Sequence, residues 1–159
     1  MKPEIWYDWD NNKNQSVFEN NFYNLHAPDI KEDTTMDANM KKRNELLAKT
    51  VIKGLESRNM SGYYAQDKEA ALKQALELIP NGSTIAMGGC MSAHEIGLVK
   101  ALQDGDYNYI DRAKLEPREG LMAAYDADFF LSSANAVTDD GVLVNIDGNS
   151  NRVSCIAQG

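Results

Sequence analysis

The chain has 159 residues, with 24 acidic against 16 basic side chains, a formal net charge of −8 and 43% hydrophobic types. That length makes about one domain, and the apolar share supports one ordinary core, which excludes wholesale disorder. The acidic balance and the lack of a clustered basic face argue against nucleic acid as a partner. No apolar run approaches the roughly 18 residues of a membrane span, and the opening Met1-Lys2-Pro3-Glu4-Ile5-Trp6-Tyr7-Asp8 lacks a signal peptide's apolar stretch. Cys90 and Cys155 provide neither a disulfide framework nor paired metal-ligand spacing. A soluble cytoplasmic protein without a metal site is expected.

Residues 1–35 carry Trp6, Tyr7, Trp9, Phe18, Phe22 and Tyr23 among polar residues, without a sustained period. This segment reads as an irregular, aromatic-rich arm packed on the body or on a second subunit; a partly ordered tail with one anchored segment is the alternative. From Met36 the pattern turns helical, with Met36, Met40, Leu47, Val51 and Leu55 at spacings of four or seven and Gly62 as a stop. Tyr63-Tyr64-Ala65 reads as a short strand. Asp67 can cap a second helix carrying Leu72, Ala75, Leu76 and Ile79. Residues 84–87 read as a buried strand, and Ser92-Ala93-His94-Glu95 has the form of a capping box. The helix that follows should bury Ile96, Val99 and Leu102 and end at Gly105. A second strand is predicted over residues 107–110, a helix from Pro117 and a third buried strand over residues 128–132. Asp140-Gly141 signals a turn, residues 142–146 a fourth strand, and residues 151–157 the start of a last helix. Strands alternating with helices imply an α/β sandwich with a mainly parallel sheet.

Two junctions carry the candidate chemistry. In the first, Gly88-Gly89-Cys90 joins a strand to a helix. Glycine lets a ligand approach the backbone, and free amides at a helix start attract an anion. The spacing matches neither a P-loop nor a dinucleotide fingerprint, and a plain tight turn explains it as well. Cys90 is a candidate nucleophile with His94 as its base, against the stronger reading of a small residue filling a turn; Cys155 reads as packing. The second junction leaves the third strand at its carboxyl end, where α/β sheets place ligands. It contains Asn135 and Thr138, then Asn145, Asp147 and Arg152. Turn chemistry accounts for about half of these polar residues. It accounts poorly for Arg152, a cation entering a helix start against the dipole, which an anion or Asp147 would offset.

These residues resemble the lactate-utilization (LUD) domain family. Carrying the resemblance are Gly88-Gly89, Glu95-Ile96-Gly97, Ser133-Ala134-Asn135-Ala136-Val137-Thr138, Asp140-Gly141, Leu143-Val144-Asn145-Ile146-Asp147-Gly148 and Asn151-Arg152-Val153, within residues 36–159. The resemblance implies a Rossmann-like three-layer α/β/α sandwich, similar to ribose-5-phosphate isomerase and the coenzyme A transferases, with a ligand site over the strand carboxyl ends. Family members occur with iron-sulfur partners in the oxidation of lactate to pyruvate, so an iron-sulfur oxidoreductase subunit is an implied partner. The family usually has Ser at Cys90, which lends no support to a cysteine mechanism. Its Asp-Gly-Thr-Gly-Asn-Arg is here Asp147-Gly148-Asn149-Ser150-Asn151-Arg152, which removes the glycine that a close phosphate approach at Ser150 would use. The family also continues past Gly159 with a proline, a valine-rich strand and a Gly-x-Asn-Lys segment. The domain is therefore expected to be C-terminally incomplete, exposing an edge or core surface that something must cover.

The expected function is binding of a small anionic metabolite in lactate or organic-acid utilization, by a homo-oligomer. Gly88, Gly89 and Cys90 would offer backbone contacts, Asn135, Thr138, Asn145 and Asp147 would orient polar groups, and Arg152 would pair with negative charge. Asp147, Glu95 and Cys90 are the candidate catalytic groups, and the sequence leaves the cofactor unassigned. A non-catalytic subunit or regulator docking on an iron-sulfur lactate-oxidising complex is the alternative.

Overall fold

The computed structural model describes residues 38–158. The aromatic arm, its boundary with the domain and the predicted helix start at Met36 lie outside the described residues. Helix α1 (Ala38–Glu56) buries Ala48, Val51 and Leu55, the last turns of its predicted stripe, while Met40 is exposed. Helix α2 (Lys68–Leu78) starts as its sequence dictates: Asp67 Oδ1 accepts from Ala70 N at 2.8 Å, satisfying one free amide of the first turn. Residues 63–65 are not a strand.

Strand β1 (Thr84–Met87) is the centre of a three-stranded parallel sheet of order β2-β1-β3, with β2 (Asn108–Tyr109) and β3 (Phe129–Leu131) on its two sides. Side chains alternate across a strand, so successive residues serve opposite layers. Ile85 and Met87, with Phe129 and Leu131, meet Leu72, Ala75, Leu98, Val99 and Leu102 on one face. Those partners come from α2 and from α4 (Leu98–Asp104). Ala86 and Phe130 face the other way, onto Leu121, Ala124 and Cys155 of α5 (Pro117–Tyr125) and α6 (Val153–Gln158). The fold is thus a Rossmann-like α/β/α sandwich. The chain leaves β1 toward β2 on one side, then crosses to β3 on the other, and the strand order reverses between β1 and β3.

The predicted helix after the double glycine is two helices. Gly97 adopts φ +79 and separates α3 (Met91–Glu95) from α4. Nor is there a capping box: the N-cap is Cys90, without a side-chain cap bond, and Glu95 pairs with Lys68 at 3.7 Å. The fourth predicted strand also departs from expectation. β5 (Leu143–Val144) does not join the parallel sheet but pairs antiparallel with β4 (Ala136–Val137), a strand too short to show as a pattern. Thr138 N donates to Val142 O at 2.9 Å, and Gly141, at φ +78, closes the turn by donating to Thr138 O at 3.0 Å. The hairpin rests on α1 through two glycines. A Cβ on Gly54 would lie 1.9 Å from Asp140 O, and one on Gly141 would lie 2.7 Å from Val51 O. Arg58 Nη1 bonds Gly54 O and Asp140 O, each at 2.8 Å, holding the two backbones together.

Candidate functional site

The register Met87↔Leu131 ends β1 and β3 at the same rim, beside the point where the strand order reverses. This is where doubly wound sheets hold ligands. The ladder continues one step, Gly88 N donating to Leu131 O at 2.9 Å. Gly88 is buried, and a Cβ there would lie 2.4 Å from the Phe130 ring and 3.4 Å from Arg152 Cγ. Only glycine fits that passage. Gly89 is exposed at φ +63, and its carbonyl accepts from Ser133 Oγ at 3.3 Å, tying the turn after β1 to the turn after β3.

The hairpin returns the chain to this rim. Asn135 N donates to Val144 O at 2.9 Å, and Asn135 Oδ1 accepts from Ile146 N at 2.8 Å and from Arg152 Nη2 at 2.5 Å. The Arg152 guanidinium also donates to Ser133 O and, at 2.8 Å, to Ile146 O. One side chain thus joins the strand exit at Ser133 to the exit of β5. Asp147 Oδ2 accepts from Arg152 N at 2.7 Å and from Val153 N at 3.0 Å, capping α6. These amides, Val153 before Arg152, with a further contribution from the Arg152 charge, hold the Asp147 carboxyl below the usual range. The dipole conflict at Arg152 is thereby resolved: a carboxylate occupies the helix start and the guanidinium folds back onto oxygens. A carboxylate held ionised in this way is a weak proton donor or acceptor near neutrality. Asn145 Oδ1, between these bonds in sequence, is buried with no partner among the described residues.

Gly88, Gly89, Asn135, Asp147 and Arg152 therefore meet at one end of the sheet, and Asn145 lies in the segment they hold. Thr138 does not join them. It sits at the other end of β4, where its hydroxyl bonds Asp140 and accepts from Val142 N at 2.9 Å, closing the hairpin. Cys90 is buried in the core with Ala93 and Leu98, while His94 is exposed on α3. Cys155 is buried, its thiol donates to Asn151 O at 3.2 Å, and burial chiefly pushes its pKa up.

Arg112 reaches this rim without a motif to announce it. It follows β2 as Gly88 follows β1 and Ser133 follows β3. Its Nη1 faces Met87 O at 3.5 Å, and its charge is felt at the Cys155 thiol. The signal available in the sequence was position alone, just beyond a strand's carboxyl end.

A family model described as the LUD domain matches residues 48–157. The chain belongs to the LUD domain family. Neither a curated protein nor a solved structure matches it. The matched span runs from inside α1 into α6, so the LUD domain includes the parallel sheet, the hairpin and every residue of the rim. Membership implies a role related to lactate utilization. Among the described residues of this LUD domain, no helix is long and apolar enough to cross a membrane, and no three His, Cys, Asp or Glu gather as a metal-binding group.

Proposed function

We propose that this LUD domain serves lactate or related organic-acid utilization in the cytoplasm by binding a small anionic metabolite at the rim where β1 and β3 end. The carrying observation is the meeting of the two junctions: the Cβ position of Gly88 lies 3.4 Å from Arg152 Cγ, and Asp147 caps the residue that bears that side chain. The exposed Gly89 turn and the backbone at Cys90 offer amides. Asn145 offers a buried polar group without a protein partner among the described residues, which is the kind of group a ligand satisfies. Arg152 and Asn135 fix the loop that carries it.

Titration of the isotope-labelled protein with sodium L-lactate and with sodium pyruvate, against sodium chloride at equal ionic strength, tests this reading. Saturable amide shifts at Gly88, Gly89, Cys90, Ser133 and Asn145 are expected. Shifts confined to other segments, or none beyond those with chloride, refute it.

One observation favours the alternative of a docking subunit on an iron-sulfur lactate-oxidising complex. Val142, Val144 and Ile146 alternate through the segment that contains β5 and are all exposed, Ile146 at 71%. Replacing the three by Thr should abolish capture of an iron-sulfur subunit, or self-association in light scattering, while sparing lactate binding. A variant that behaves as wild type in both assays rejects the stripe as a contact.

A further inference from the structure

We infer that Arg112, rather than Arg152, is the side chain that holds the charge of the bound anion, and that the rim takes an anion of one negative charge. The inference rests on the reading that an anion binds there. It concerns a residue with no motif and assigns the two guanidiniums different work.

Arg152 is committed. Its bonds to Ser133 O, Asn135 Oδ1 and Ile146 O join the loops that make the rim, and a guanidinium that turned to a ligand would release them. Arg112 is half-buried and far less engaged. Ile110 N still donates to Ile85 O at 2.8 Å, so the chain leaves β2 in register and delivers Arg112 to the carboxyl side of the sheet. Its stem lies along α5, where a Cβ on Gly120 would stand 3.6 Å from Arg112 Cβ and 3.7 Å from Nε. The guanidinium is thus directed at the end of β1, where one contact at 3.5 Å to Met87 O is its whole hydrogen bonding among the described residues.

The neighbouring carboxylate is taken. Asp111 Oδ2 pairs with Lys114 at 3.0 Å, and Asp111 Oδ1 accepts from Ala113 N at 3.2 Å. No carboxylate among the described residues forms an ion pair with Arg112. A guanidinium has five N–H donors in a planar fork suited to a carboxylate, and burying half of it without a counter-ion carries a desolvation cost that an anion removes. Arg112 and Arg152 against Asp147 leave the rim one net positive charge. Within a chain of formal charge −8, that balance suits a monoanion and penalises a dianion.

The test compares wild type, Arg112→Gln, Arg112→Lys and Arg152→Gln in titrations with sodium L-lactate and with inorganic phosphate at pH 8. Arg112→Gln should lose lactate affinity by about tenfold or more, with Arg112→Lys between it and wild type, since an ammonium keeps the charge but not the fork. Arg152→Gln should show its defect first as a lower melting temperature in the absence of lactate. In the wild type, the Arg112 Nε–H resonance should shift with lactate, a readout that does not depend on any variant folding. Wild-type binding with an unmoved Arg112 resonance, or undiminished affinity in Arg112→Gln, overturns the inference while sparing the binding site. Phosphate binding more tightly than lactate overturns the single-charge part. A wild type that binds neither probe refutes the underlying reading, and the inference falls with it.

Discussion

Arg152 and Asn135 stand seventeen positions apart, yet the guanidinium donates to Asn135 Oδ1 at 2.5 Å while the same oxygen accepts from Ile146 N at 2.8 Å. One amide oxygen therefore serves the hairpin and the start of α6 together. The rim's shape depends on that shared acceptor.

Arg152→Ala removes the side-chain bonds to Ser133, Asn135 and Ile146 and leaves those oxygens to find water or remain unpaired. Hydrogen bonds to a charged donor contribute more than neutral ones, but bonds made by one side chain do not add fully, so the expected loss is about 2–3 kcal/mol. Chemical denaturation checks this. A variant within experimental error of wild type would show that the clamp does not hold the loops.

Asp147 makes stability depend on pH with a defined sign. Its carboxyl is held below the usual range by the Val153 and Arg152 amides, so the folded state favours the ionised form. That contribution is present above the unfolded-state value of about 3.9 and is lost as pH falls through the lower folded-state value. Asp147→Asn should be less stable than wild type at pH 7, and the two should converge as the pH is lowered into the acid limb. Its deficit at pH 7 should be smaller than that of Arg152→Ala. A gap that stays constant with pH would assign the effect to packing instead.

Ser150 adopts φ +56, where the family resemblance places a glycine. The left-handed region costs a side-chain-bearing residue about 1–2 kcal/mol, and glycine returns part of the gain through its larger chain entropy when unfolded. Ser150→Gly should stabilise the protein by about 0.5–1 kcal/mol. Destabilisation would mean that the Ser150 side chain makes a compensating contact.

Gly54 sets two effects against each other. Inside a helix, Ala outperforms Gly by about 1 kcal/mol. Here the added Cβ would meet Asp140 O at 1.9 Å, a backbone atom that cannot yield without lifting the hairpin from α1 and disturbing the Arg58 bonds. The clash should win, so Gly54→Ala is expected to destabilise by about 2 kcal/mol net. A stabilised variant would show that the hairpin moves freely relative to α1.

Much of the architecture was legible in local pattern. The stripe of α1, the Asp67 cap, Pro117 in the first turn of α5 and the apolar runs of β1 and β3 each report on interactions within a few residues, and such interactions are written in adjacent positions. The gathering of Gly88, Asn135, Asp147 and Arg152 near a strand end was also readable, because α/β topology delivers successive strand exits to one rim. What remained hidden was pairing over distance. Asp140-Gly141 marked a turn, but nothing local tells β5 to pair with β4 instead of extending the parallel sheet, since a two-residue strand carries no period. The choice is made by Gly141 at positive φ and by the docking of Asp140 on Gly54, 86 positions earlier in the chain. Likewise Arg112 and Arg152 are the same residue type in the sequence. Only the folded chain surrounds one with carbonyl and amide oxygens and leaves the other facing a strand end, because hydrogen-bond satisfaction is set by neighbours in space.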